Sequence, residues 1–108
     1  MMIQNQKPYY LLGMYQNGFY PTFLVDKIKE SMLEVTRKIE EESLSEAEIQ
    51  RMLDKMTSDI NALQDEFKAH NSDIEFVARE SIAETVESFL DHYGINIDIE
   101  TALRKRSW

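Results

Sequence analysis

The stretch SEAEIQRMLDKMTSDINALQDEFKA, Ser45 to Ala69, decides the fold. Ser45 is followed three residues later by Glu48, the spacing of a capping box that opens a helix. Ile49, Met52, Leu53, Met56, Ile60, Leu63 and Phe67 then recur on one helical face. Positions 49, 56 and 63 repeat every seven residues, as do 53, 60 and 67. That narrow stripe packs at a shallow angle against a neighbouring helix. The spacing predicts one helix over 45–69, about 37 Å long at 1.5 Å per residue. A helix of that length spans a small domain and needs partners along one side only.

Working toward the N-terminus, Glu40-Glu41-Glu42 closes a preceding helix over about 22–41. Its apolar face is Leu24, Val25, Ile28, Met32, Val35 and Ile39, and Lys27, Glu30, Glu34, Arg37 and Glu41 lie opposite. Pro21 suits the first turn. Phe23 and Leu33 fall off the stripe and call for a second surface to cover them. The segment Pro8 to Tyr20 supplies a candidate, because it carries Tyr9, Tyr10, Tyr15, Phe19 and Tyr20. It reads as a short helical turn over Tyr9 to Tyr15, followed by a tight turn at Asn17-Gly18. Met1 to Lys7 is polar and reads as frayed.

Toward the C-terminus, His70-Asn71 breaks the pattern, and Ser72 with Glu75 repeats the capping-box spacing. A third helix over 73–93 follows, with Ala78, Ile82, Val86, Phe89, Leu90 and Tyr93 on its core face and Gly94 as its cap. The alternation Ile95-Asn96-Ile97-Asp98-Ile99 has the period of a strand, but a lone strand finds no partner in this chain. Asp98 caps a last helix over about 98–106, where Arg104, Lys105 and Arg106 complement the dipole. The terminal Trp108 either folds back on the core or meets a partner. The fold class is all-α: one domain over 1–108, a bundle of three main helices, with a short aromatic N-terminal segment and a short C-terminal helix.

Several segments as a set resemble a family of small, uncharacterised bacterial helical proteins, a domain of unknown function. They are Gly13-Met14-Tyr15, Tyr20-Pro21-x-Phe23-Leu24-Val25-Asp26-Lys27, Leu63-Gln64-Asp65-Glu66-Phe67, Asp73-Ile74-Glu75-x-x-Ala78-Arg79-Glu80-x-Ile82-Ala83-Glu84 and Arg106-x-Trp108. The resemblance covers most of the chain. It implies a single-domain helical protein and carries no catalytic residue with it.

Composition narrows function. The 108 residues include 20 acidic and 12 basic side chains, a net charge of −8, and no Cys. Disulfides, thiolate metal sites and a cysteine nucleophile are excluded. The acidic balance argues against nucleic acid and against anionic membrane surfaces. The longest apolar run, Tyr9 to Tyr15, is far below the roughly 20 residues of a membrane span. No signal segment is expected, and the lack of Cys suggests the cytoplasm. A di-iron bundle needs Glu-x-x-His pairs, but Phe67 and Phe89 precede His70 and His92 by three. There is no Gly-rich phosphate loop and no nucleophile elbow. No enzyme, cofactor, catalytic residue or metal site is expected.

Three features remain as candidates. Glu80, Glu84, Glu87 and Asp91, with Asp73, line one side of the third helix, as a docking surface for a basic partner or as an ordinary solvated face. Tyr9, Tyr10, Tyr15 and Tyr20 form either an interface or a roof over the bundle. Glu75 and Arg79, four apart on the core side, form an anion anchor or a structural ion pair. The leading expectation is a non-enzymatic acidic interaction module with a protein partner, in one form an immunity- or antitoxin-like inhibitor masking a basic site. The alternatives are a self-associating helical module, with a homodimer as its product, and a small-molecule-binding protein with a pocket near Glu75 and Arg79.

Overall fold

A computed structural model describes residues 9–108, so the expected fraying of Met1–Lys7 lies outside the described residues. Six helical segments follow in order: α1 (Leu12–Tyr15), α2 (Thr22–Glu41), α3 (Glu46–Ala62), α4 (Gln64–Ala69), α5 (Phe76–His92) and α6 (Ile99–Ala102). No strand is present among the described residues, and the three long helices make the chain all-α.

Helices α2 and α3 form the closest pair. Their short connector and the Lys27–Glu66 ion pair at 3.0 Å, which ties the start of α2 to α4, make them antiparallel. The capping box forms as the spacing predicts: the Ser45 hydroxyl accepts from the Glu48 amide at 3.1 Å, and the Ser45 amide donates to Glu48 at 2.8 Å. Helix α1 runs antiparallel along α5. Leu11 meets Thr85 in the middle of α5, Gly13 faces Ser81, and Tyr20 reaches Glu75 at its start. The core between them holds Leu24, Ile28, Met32, Leu53, Met56, Ile60, Phe67, Ile82 and Phe89, all fully buried. Each such side chain contributes roughly 1.5–3 kcal/mol of burial. Leu11, Met14, Ile74, Ala102 and Leu103 join this core from the short elements. The periodic reading missed them because single-turn elements show no repeat.

The predicted helix over 45–69 divides at Leu63, which closes α3 and opens α4. Leu63 keeps helical dihedrals (φ −82°, ψ −11°), and its amide turns to Ile60 three residues back. The Asn61 carbonyl accepts from the Gln64 side chain at 3.2 Å. The apolar stripe therefore survives the break as far as Phe67. Periodicity reports only the stripe, so it did not show the tightened turn.

The third helix begins three residues later than expected. Ser72 is not its cap. Asn71 adopts a left-handed conformation (φ 59°), the Ser72 amide bonds to Phe67 at 2.9 Å and the Asn71 amide to Lys68 at 3.1 Å. These two bonds are a Schellman motif ending α4, with Asn in the place usually taken by Gly. Ser72 is drawn inward and Ile74 is buried, so the cap of α5 falls to Glu75.

The last helix is shorter than predicted. It ends at Ala102, and the chain from Leu103 onward straps across α3. Arg104 makes a bidentate ion pair with Asp54 (3.1 and 2.7 Å), and Arg106 reaches Glu100. These two arginines lie beyond the end of α6 and pair with side chains. Asn61 donates to the Lys105 carbonyl at 2.8 Å and accepts from the Ser107 amide at 3.0 Å. Gln64 donates to the Ser107 hydroxyl at 2.7 Å. Trp108 folds back, half-buried against the core, with the Arg106 guanidinium 5.9 Å from its ring.

Candidate interaction groove

Helix α5 ends in a second Schellman turn. Gly94 is left-handed (φ 67°), its amide bonds to Asp91 at 3.0 Å, and the Ile95 amide reaches back to Leu90 at 2.8 Å. This reversal lays residues 95–99 beside the last turns of α5. Asp98 then caps α6, accepting from the Glu100 amide at 3.0 Å. From the other end of the chain, the buried Leu11 amide donates to Thr85 Oγ1 at 2.8 Å and holds the segment before α1 against α5.

Between these two segments lies an open depression of about 550 Å³. Glu84, Glu87 and Asp91 stand on its α5 side, Asp98 on the other, and Tyr9, Leu90, Ile95, Ile97 and Ile99 supply apolar surface. Two of the features singled out in the sequence thus converge here. Four carboxylates face one concavity, with a tyrosine that is 45% exposed. Glu80 is exposed one turn earlier on the same helix, outside this lining, and Asp73 is half-buried ahead of the helix, bonding the Ile74 amide at 2.8 Å.

The other tyrosines are placed differently. Tyr10 stacks on Phe89 with centroids 6.5 Å apart and donates to Thr36 at 3.3 Å. Tyr15 donates to Asp26, and Tyr20, which is buried, donates to Glu75. Burial raises the Tyr15 and Tyr20 hydroxyls above their ordinary range, and the neighbouring carboxylates add to this. Tyr93, bonded to Glu40, is raised for the same reasons. These three hydroxyls tie one element to another. Tyr10, Leu33 and Thr36 line one cleft, and the off-stripe Leu33 is half-buried there. Phe23 remains 47% exposed, edge-on to His70.

The expected Glu75–Arg79 ion pair does not form among the described residues. Pairing at four-residue spacing needs both partners on helical backbone. Glu75 has extended dihedrals (φ −109°, ψ −160°) as the cap of α5. Its carboxylate accepts from Tyr20 and, weakly at 3.5 Å, from the Val77 amide. Arg79 is half-buried one turn further on.

A groove of about 280 Å³ between α2 and α3 has Val35, Met52 and Met56 in its lining. Its rim carries charges of both signs, Glu34, Glu41 and Asp59 with Arg37, Lys38 and Lys55, and Lys38 pairs with Glu42 and Lys55 with Asp59. Such a rim selects neither anion nor cation. Among the described residues no cluster of His, Asp or Glu is arranged to hold a metal ion. No helix among them is long and apolar enough to cross a membrane.

Fold and groove together define a small acidic all-helical domain with a carboxylate-lined concavity beside α5. The chain belongs to the family of unknown function DUF5713, whose model matches residues 4–108. No curated protein and no solved structure matches it.

Proposed function

We propose that this protein is a non-enzymatic interaction module that binds a basic protein partner through the outer face of α5. One observation carries the reading. Five ion pairs join described residues: Lys27–Glu66, Lys38–Glu42, Lys55–Asp59, Arg104–Asp54 and Arg106–Glu100. None includes Glu80, Glu84, Glu87 or Asp91, the four carboxylates exposed along α5. Exposed like charges at helical spacing cost a few tenths of a kcal/mol per pair, roughly 0.2–0.5. A cationic partner turns that cost into attraction and speeds encounter. An inhibitor of the immunity or antitoxin kind, covering a basic active site, is the form that suits this size and charge. The composition, with no Cys, fits action in the cytoplasm.

The test is charge reversal on two faces. A Glu80→Lys, Glu84→Lys, Glu87→Lys variant is expected to lose its partner. Reversal of the same number of charges on α2, at Glu30, Glu34 and Glu41, is expected to retain it. Equal retention by both variants would overturn the proposal.

A further inference from the structure

The alternation Ile95-Asn96-Ile97-Asp98-Ile99 is matched by burial. The three isoleucines are half-buried and Asn96 and Asp98 are exposed, the period of a strand with one face covered. The main chain here belongs to neither adjoining helix. The Ile95 amide is used by the Schellman turn, and the Asp98 carbonyl accepts from Ala102 in α6. Between those two points, the amides of Asn96, Ile97 and Asp98 and the carbonyls of Ile95, Asn96 and Ile97 have no backbone partner among the described residues. Backbone donors and acceptors left without ladder partners along an extended stretch, beside the carboxylate-lined depression, can pair with an added strand.

We propose that residues 95–98 receive an extended peptide as an added strand, and that this peptide alternates Lys or Arg with aliphatic residues. The inference rests on the reading of α5 as the partner-binding face and names its occupant. Main-chain pairing supplies affinity in this mode, and alternate side chains supply specificity. The aliphatic residues meet Leu90 and Ile97. The cations meet Glu84, Glu87, Asp91 and Asp98, which border the same depression. Same-face side chains on a strand recur about every 6.8 Å. The rise from Glu87 to Asp91 is about 6 Å, so successive cations fall near successive carboxylates. Charge complementarity also argues against a second copy of this chain, which brings a net charge of −8 to an acidic groove.

Two blocked synthetic octapeptides of equal composition test this: one alternates Lys and Val, and the other places four Lys before four Val. Each is titrated into the full chain, with backbone amides followed by NMR. The alternating peptide is expected to bind at least about tenfold more tightly and to slow hydrogen exchange at the Asn96, Ile97 or Asp98 amides by about tenfold or more. Equal affinity for the two peptides, with shifts along α5 and unchanged exchange at 96–98, overturns strand addition and leaves the acidic face standing. Binding of neither peptide overturns the proposed occupant, and the charge-reversal variants then decide separately whether the acidic face of α5 stands. Protection of 96–98 that rises with protein concentration, without peptide, assigns the edge to a second copy and overturns the proposed occupant.

Discussion

Thr85 and Thr57 offer a controlled comparison. Both are fully buried and both donate their hydroxyl to a carbonyl four residues back, Thr85 to Ser81 at 2.8 Å and Thr57 to Leu53 at 2.7 Å. They differ in one respect: Thr85 Oγ1 also accepts the buried amide of Leu11. Leu11 is left-handed (φ 58°), a conformation that costs a non-glycine residue roughly 1–2 kcal/mol. The Thr85 bond, together with burial of the Leu11 side chain, offsets that cost. Thr85→Val keeps the shape of the side chain and leaves the Leu11 amide buried without its partner, a loss of about 1–3 kcal/mol. Thr57→Val removes only a hydroxyl that bonds back along its own helix, so its effect stays within about 0.5 kcal/mol. Urea unfolding measures both, with unchanged slope as the sign that only stability has moved. Thermal midpoints follow, since 1 kcal/mol shifts a domain of this size by roughly 4 °C or more. Exchange at the Leu11 amide should quicken in Thr85→Val alone. If the two variants agree within about 0.5 kcal/mol, the Leu11–Thr85 bond does not hold the N-terminal segment, and the placement of Tyr9 at the groove loses its support.

Other expectations concern the strap, the turn and acid pH. Asn61→Ala removes both bonds to residues 105 and 107, so emission from Trp108, the chain's single Trp, should shift to the red with little change in helical circular dichroism. Gly94→Ala meets no neighbouring atom and should cost about 1 kcal/mol through backbone strain alone; NMR shifts confined to 90–99 would confirm that the turn sets the groove wall. The Arg104 bond holds the Asp54 carboxyl below its usual 3.8, with Gln50 adding to the effect and partial burial opposing it. A folded-state pKa below the unfolded one means that this stability is present above about pH 4 and is lost as pH falls through the folded value. Asp54→Asn should therefore flatten the acid limb of the stability curve, and an unchanged limb would remove this pair from the acid response.

The long elements were legible because burial writes a period into them. Leu24 to Val35, Leu53 to Phe67 and Ala78 to Leu90 lie in the core as their spacing required. The failures sit where a local bond decides the geometry. Asn71 in a left-handed turn moved the start of α5 and unmade the expected Glu75–Arg79 pair, and nothing in residue periodicity distinguishes such a turn from a cap. The arginines at 104 and 106 carry charge that suits a helix end, yet Asp54 captures the first across the fold and Glu100 the second within the C-terminal segment. At the candidate site, the row from Glu80 to Asp91 was visible on a helical wheel. Its meeting with Tyr9 and with Ile95, Ile97 and Ile99 depends on the Leu11–Thr85 bond and the Gly94 turn, which are long-range and backbone features. Gly94 and the alternation from Ile95 to Ile99 were the sequence signs of that wall, but neither showed which helix it lies against.

The partner claim is tested most directly by capture from native lysate of the source organism at low and high salt, followed by hydrogen–deuterium exchange on the complex obtained. A stoichiometric basic protein, released at high salt, with protection gained over residues 80–99, is the predicted result. A complex whose protection falls on the α2–α3 groove, or whose stability does not change with salt, would contradict the assignment of α5 as the binding face.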